Sequence, residues 1–247
     1  MNHIIEVCNL VKRFAENRVE KVVLDNISFK IREKEVIAFM GESGVGKTTL
    51  MNIIASLDSN YDGNIMFQGK PLKSFTEDEI SRYRTNDIGI IKQNGKLIEY
   101  LTVYENLLLS WGESKGFTIQ DKTEKIDRIM QVFGILSRLD KKVSEISGGE
   151  YQRCVWARAL VKNPKVLIAD EPTSALDIEN ASNMITFITE IRDKENITAI
   201  IMTHDIQIAA YADRIIYLKE GKVKFELQKK DFGEDEYVKK IISNIYS

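Results

Sequence analysis

At 247 residues, 43% of them hydrophobic, the chain is long enough for one large domain and apolar enough to fill its core. A net charge of −2, with lysines scattered among acidic neighbours, gives no overall attraction to nucleic acid and counts against that class of partner. No stretch approaches a membrane span and the first residues lack the layout of a secretion signal, so a protein that stays in the cytoplasm is expected.

Taken in chain order, Ile4 to Leu10 and Lys21 to Ile31 alternate as strands with Ala15 to Glu20 as a polar connection, which predicts an antiparallel edge layer. Cys8 in the first of these and Cys154 much later have no metal-ligand spacing and read as reduced thiols. Val36 to Met40 is wholly apolar, as a parallel strand covered on both faces is, and Thr48 to Ala55 has helical periodicity. Gly63 to Gly69 reads as a short strand between glycine turns, and Thr76 to Arg84 as a helix opened by a capping box of Thr76 and Glu79. Ile88 to Ile91 is another buried run, closing on Gln93.

From about 95 to 160 the pattern turns helical, with Val103 to Leu109, Lys122 to Phe133 and Glu150 to Leu160. Strands return at Val166 to Ala169, Thr198 to Met202 and Arg214 to Leu218, with a long helix from Ile178 to Lys194 between the first two. The alternation predicts an α/β fold: a mostly parallel sheet covered on both faces, an N-terminal antiparallel β layer and an inserted helical lobe. Expected boundaries are 1–94 and 161–225 for the core, 95–160 for the lobe and 226–247 for a C-terminal helical tail. In that tail Val238, Ile241, Ile242 and Ile245 share one face.

Between the apolar strand and its helix stands Gly41-Glu42-Ser43-Gly44-Val45-Gly46-Lys47-Thr48, followed by Thr49, and it fits G-x-x-x-x-G-K-[S/T]. Glycines let backbone N–H groups curl around phosphates, Lys47 reaches the β/γ-phosphates and Thr48 offers its hydroxyl to Mg²⁺. A strand-to-helix setting adds the positive end of a helix dipole. Asp170 and Glu171 end the strand Val166 to Ala169, where ligands of open α/β sheets bind. One carboxylate can hold Mg²⁺ and the other can polarise an attacking water. His204 follows the strand Thr198 to Met202 and is expected at the same edge, to contact the γ-phosphate and orient that water. Ser147-Gly148-Gly149-Glu150 has the spacing of a capping box, yet capping does not need two glycines, which also permit close approach to a phosphate.

This set resembles the ATP-binding cassette of ABC transporters: Gly41 to Thr48, Gln93, Ile146-Ser147-Gly148-Gly149-Glu150, Ala169-Asp170-Glu171-Pro172-Thr173-Ser174-Ala175-Leu176-Asp177 and His204 fall in order over roughly the first 225 residues. The resemblance implies a P-loop NTPase with a RecA-like core that hydrolyses ATP with Mg²⁺. It implies Lys47 on phosphate, Thr48, Gln93 and Asp170 on Mg²⁺, and Glu171 as general base. Asp177 would lie across a dimer, and Ser147, Gly148 and Gly149 would bind the nucleotide of a second copy. It further implies Phe14 against adenine, permease subunits as membrane partners, and a place on the inner face of the cell membrane. Leu97, Tyr100 and Trp111 are candidates for the groove that receives the permease.

The signature starts with Ile146 and ends with Glu150 where Leu and Gln are commoner, and Lys92 stands where the glutamine loop often has Phe. Met40 to Gly44, Leu50 to Asp58 and Leu101 to Asn106 resemble the macrolide-export, lipoprotein-release and bacitracin-resistance branch. Thr173 to Asp177 equally resembles polar amino-acid importers. Soluble cassette ATPases usually carry two cassettes or a long coiled coil, and neither is visible. A P-loop kinase would leave Ser147 to Glu150 without a purpose.

Overall fold

The computed structural model describes residues 2–16, 19–93, 95–111, 117–172 and 178–246. In chain order the strands and helices of the first half are β1 (His3–Glu16), β2 (Val19–Arg32), β3 (Val36–Met40), α1 (Lys47–Ile54), β4 (Asp62–Phe67), β5 (Lys70–Pro71), α2 (Glu77–Arg82), β6 (Ile88–Ile91), α3 (Val103–Leu108) and α4 (Ile119–Val132). The second half adds α5 (Gly148–Leu160), β7 (Val166–Asp170), α6 (Ile178–Glu195), β8 (Thr198–Thr203), α7 (Ile206–Ala209), β9 (Arg214–Lys219), β10 (Lys222–Gln228) and α8 (Glu234–Tyr246).

Two sheets form. One is antiparallel in the order β2-β1-β4-β5; the other runs β10-β9-β3-β8-β7-β6, parallel from β9 to β6 with β10 antiparallel at its edge. β3, β7 and β8 are buried at every position because both faces of the sheet are covered. Successive side chains enter different cores. Val36, Ala38 and Met40 face the helical side with Leu167, Ala169, Ala199 and Ile201. Ile37 and Phe39 face the antiparallel sheet and α1 with Val166, Ile168, Ile200 and Met202. The period of two along each strand therefore divides the molecule into two cores with the parallel sheet as their common wall.

Several boundaries differ from expectation. The polar stretch 15–20 is not all connection: β1 continues to Glu16 and β2 begins at Val19, with Ala15 opposite Glu20. Arg13, Phe14 and Ala15 face solvent, so the ribbon has no apolar face for sequence periodicity to reveal. The capping box of Thr76 and Glu79 is present, but α2 ends at Arg82 and a π-helical turn, Tyr83–Asp87, follows. Its Tyr83 is buried and donates its hydroxyl to the Ile54 carbonyl at 2.7 Å, which pins the turn to the end of α1. α4 starts at Ile119, capped by Thr118 with Asp121. β10 and the short α7 were not foreseen.

The segment between Gln93 and α3 is held by Asn106, which is 1% exposed. Its Oδ1 accepts from Ile98 N at 2.7 Å, and its Nδ2 donates to the carbonyls of Ile98 at 3.0 Å and Thr102 at 2.9 Å. Removing that amide leaves three backbone groups without this partner. Asn106→Ala is expected to destabilise the fold by about 2–4 kcal/mol, read as a lower urea midpoint at unchanged slope.

Candidate functional site

The phosphate loop turns from β3 into α1 over 41–46. Gly41 has φ +154° and a Cβ there would lie 2.5 Å from the Leu218 carbonyl oxygen; Gly46 has φ +112° and its Cβ would lie 2.7 Å from Leu24 Cδ2. A side chain at either position collides with a neighbouring strand, so the loop keeps its shape only with glycine. Gly46 caps α1 without any side-chain hydrogen bond, which leaves the first-turn N–H groups of the helix for an anion. Lys47, 7% exposed, donates its Nζ to the carbonyls of Gly41 at 2.7 Å and Glu42 at 3.2 Å and stands 3.7 Å from Glu171 Oε1.

Parallel register brings the strand ends together: Met40 is level with Thr203, Asp170 with Met202, and Ile91 with Ala169. Thr48 Oγ1 donates to Asp170 Oδ2 at 2.9 Å, joining the first turn of α1 to the end of β7. Burial raises the Asp170 carboxyl above its usual range, an effect that the Thr48 hydrogen bond opposes and the Glu171 charge reinforces. A hydroxyl beside a carboxylate is a hard oxygen pair suited to Mg²⁺, which takes one or two protein ligands and completes its shell from phosphate and water. Among the described residues no group of three or more His, Cys, Asp or Glu could hold a metal without such help.

Glu171 adopts φ +46°, rare for a residue with a side chain, and its N–H donates to the Met202 carbonyl at 2.8 Å. That turn aims the carboxylate at His204, whose Nδ1 lies 2.9 Å from Oε1 and 3.0 Å from Oε2. Thr203 Oγ1 accepts from Asp205 N at 3.0 Å, and Asp205 in turn caps α7 by accepting from Gln207 N and Ile208 N. His204 is thus set between a strand end and a capped helix.

Lys47, Thr48, Asp170, Glu171 and His204 meet in one cluster. Gln93 is exposed on the turn after β6, and Lys92 follows Ile91 beside β7, where its charge acts on Asp170. Phe14 is not a core aromatic: it is 44% exposed on β1, with the Lys12 ammonium 4.7 Å from its ring centroid. Its ribbon lies near the loop, because Lys12 pairs with Leu24 and Leu24 touches Gly46.

Ser147 caps α5 reciprocally with Glu150, and Arg138 holds Glu150 at 2.7 Å. The Ser147 N–H and the arginine keep that carboxyl down at about 2, so its part in the cap persists above the usual carboxylate range and is lost only as the pH falls toward that value. A Cβ on Gly148 would meet nothing within 4 Å, and one on Gly149 only an Arg153 nitrogen at 3.7 Å. Nothing in the described part of the chain requires glycine at either place. Asp177 lies outside the described residues. Of the groove candidates, Leu97 (4% exposed) and Trp111 (1%) are core residues, because the apolar faces of their segments turn inward, and only Tyr100 (77%) is free to touch a partner.

Sequence reasoning missed Arg138, Tyr151 and Asp205. Tyr151 accepts Leu97 N at 3.0 Å and so ties α5 to the segment after Gln93. Asp205 carried a legible signal as a capping residue before an apolar pair. Arg138 and Tyr151 act across sequence gaps that no local pattern reports.

Comparison with known proteins agrees with this geometry. The family model described as ABC transporter matches residues 24–174. The chain is similar to the bacitracin export ATP-binding protein BceA of Halalkalibacterium halodurans, 34% identical over 97% of this chain and 94% of that protein. It is also 34% identical, over 89% of its length, to the macrolide export ATP-binding/permease protein MacB of Pasteurella multocida, of which the match spans 34%. Among solved structures, the dimer of MJ0796, a bacterial ABC transporter cassette, superimposes with a TM-score of 0.82 at 30% identity, covering 92% of this chain and all of that one. The chain belongs to the ABC transporter family and is an ATP-binding, ATP-hydrolysing cassette.

Proposed function

We propose that the chain drives an exporter of the bacitracin and macrolide type, working as a head-to-tail dimer beneath membrane-spanning permease segments at the cytoplasmic face of the cell membrane. The observation that carries the shared-site part of this reading is the open space at Gly148 and Gly149, a helix start kept bare although its own chain does not need it. The dimeric MJ0796 cassette and the names of BceA and MacB support the rest. Among the described residues no helix is long and apolar enough to cross a membrane; the partners in this reading are integral membrane permease subunits.

In this reading the core, 1–94 and 161–225, holds one nucleotide and the lobe, 95–160, reaches the nucleotide of the second copy, with 226–247 as a packed tail. Phe14 stacks on adenine, the N–H groups of 41–49 surround the phosphates, and Lys47 exchanges its loop carbonyls for phosphate oxygens. Thr48, Asp170 and Gln93 hold Mg²⁺. When bound, Mg²⁺ neutralises charge on the β- and γ-phosphates. Glu171 takes the proton of the attacking water while His204 fixes its carboxylate and contacts the γ-phosphate. Ser147, Gly148, Gly149 and Asp177 complete the site of the second copy.

Glu171→Gln is expected to bind ATP normally, to hydrolyse it about 10²- to 10⁴-fold more slowly and to show an ATP-dependent rise from monomer to dimer mass in light scattering. Wild-type turnover in that variant would remove Glu171 as the base. Lys47→Ala is expected to weaken ATP binding by roughly 10- to 100-fold in calorimetry, as loss of a charge-assisted hydrogen bond predicts. Gly148→Val in the Glu171→Gln background is expected to leave the monomer's ATP affinity and thermal unfolding within error and to abolish the dimer; a persisting dimer would refute the shared site.

A further inference from the structure

Lys12 and Phe14 lie two apart on β1 and share a face of the strand. Their surroundings differ: Phe14 is 44% exposed, whereas Lys12 is 3% exposed. The Lys12 ammonium donates to Asp58 Oδ1 at 3.0 Å and to the Asn60 carbonyl at 2.6 Å, and stands 2.7 Å from Asp58 Oδ2. The same ammonium lies 4.7 Å from the centroid of the Phe14 ring. Asp58 is itself fastened to α1, because its N–H donates to the Asn52 carbonyl at 3.2 Å, as that of Leu57 does at 2.8 Å. One side chain therefore connects the ring, the loop 58–60 and the helix whose first turn carries Lys47 and Thr48. An ion pair that only pinned β1 to this loop would account for Asp58 and Asn60. It would not call for an aromatic to rest on the ammonium, nor for that aromatic to stay in solvent, where it adds little to a core.

We propose that Lys12 is a positioning residue for nucleotide binding: its ammonium holds the Phe14 ring by one face and so presents the other face to adenine, in a fixed relation to the phosphate loop. The inference rests on the reading of Phe14 as the residue that meets the base, and adds what holds it there. A phenyl ring on an exposed ribbon is otherwise free to turn between rotamers, and those that cannot stack must be given up when the nucleotide arrives. Contact with the ammonium removes that choice before binding and lowers the cost of ordering the ring. Asp58 extends the same restraint to α1. A nucleotide that reaches both the ring and the first turn of that helix finds the two already in place.

The test is calorimetry on the full chain with two probes: ADP, and inorganic pyrophosphate, which reaches the phosphate loop but has no base. Phe14→Ala is expected to weaken ADP binding about 10- to 100-fold, as loss of a base stack does, and to leave pyrophosphate binding unchanged. Lys12→Met, which keeps the stem and removes the charge, is expected to weaken ADP binding roughly three- to tenfold, again with pyrophosphate unchanged, and to cause no further loss in the Phe14→Ala background. Asp58→Asn, at a partly exposed position, releases the ammonium from its anchor and is expected to act in the same sense by a smaller factor; it decides the matter if Lys12→Met does not fold. Equal losses for ADP and pyrophosphate, or a Lys12→Met loss that persists without Phe14, would make Lys12 a purely structural residue and overturn the proposal. Normal ADP binding by Lys12→Met and Asp58→Asn, with Phe14→Ala weakened, would overturn the role of Lys12 alone. Normal ADP binding by Phe14→Ala would overturn the stacking of Phe14 on adenine and this inference with it.

Discussion

Burial of the parallel sheet on both faces is the constraint from which the rest follows. Because β3, β7 and β8 have no solvent face, their residues from Val36, Val166 and Ala199 onward are apolar until the strands end, and polar residues then appear together at the carboxyl edge. Asp170, Thr203 and the loop after Met40 become neighbours for that reason alone, since parallel register aligns strand ends that are far apart in sequence. Placing α1 in the core between the sheets then brings Thr48 down onto Asp170. The site is a by-product of where hydrophobic runs stop.

This also explains what could be read beforehand. A run such as Val36 to Met40 announces both a strand and its end, so the loop, Asp170, Glu171 and His204 were legible in order and location. The polar ribbon at 13–16, the exposed β10 and the π-helical turn at Tyr83 were not, because their hydrogen bonds depend on partners supplied by other segments. The left-handed backbone of Glu171 had no signal either: its residue type argues against such a φ, and only the pull of the Met202 carbonyl reveals why it is held. Leu97 and Trp111 show the opposite error. Large apolar side chains near a candidate docking groove read as contact surface in the sequence, whereas the helical core claims them.

The lobe is organised by caps more than by propensity. Thr102, Thr118 and Ser147 each close a reciprocal box with an acidic residue three positions on, so these caps fix where α3, α4 and α5 begin, α4 and α5 earlier than their apolar periodicity indicates. Fixed starts matter most for α5, whose first turn is bare and whose far end is packed through Trp156 and Leu160 against the core. Tyr151 and Arg158 then fasten the same helix to the segment after Gln93, so movement there and movement of α5 are not independent.

The open space above Gly148 and Gly149 has a genetic consequence. In the proposed head-to-tail dimer such a surface is read in trans, so a lesion there harms the nucleotide site of the other copy. Two inactive alleles, one damaged at the phosphate loop and one at these glycines, can then meet in a heterodimer that concentrates both faults in one site and leaves the other whole. Such alleles complement each other, whereas two alleles damaged at the same element do not.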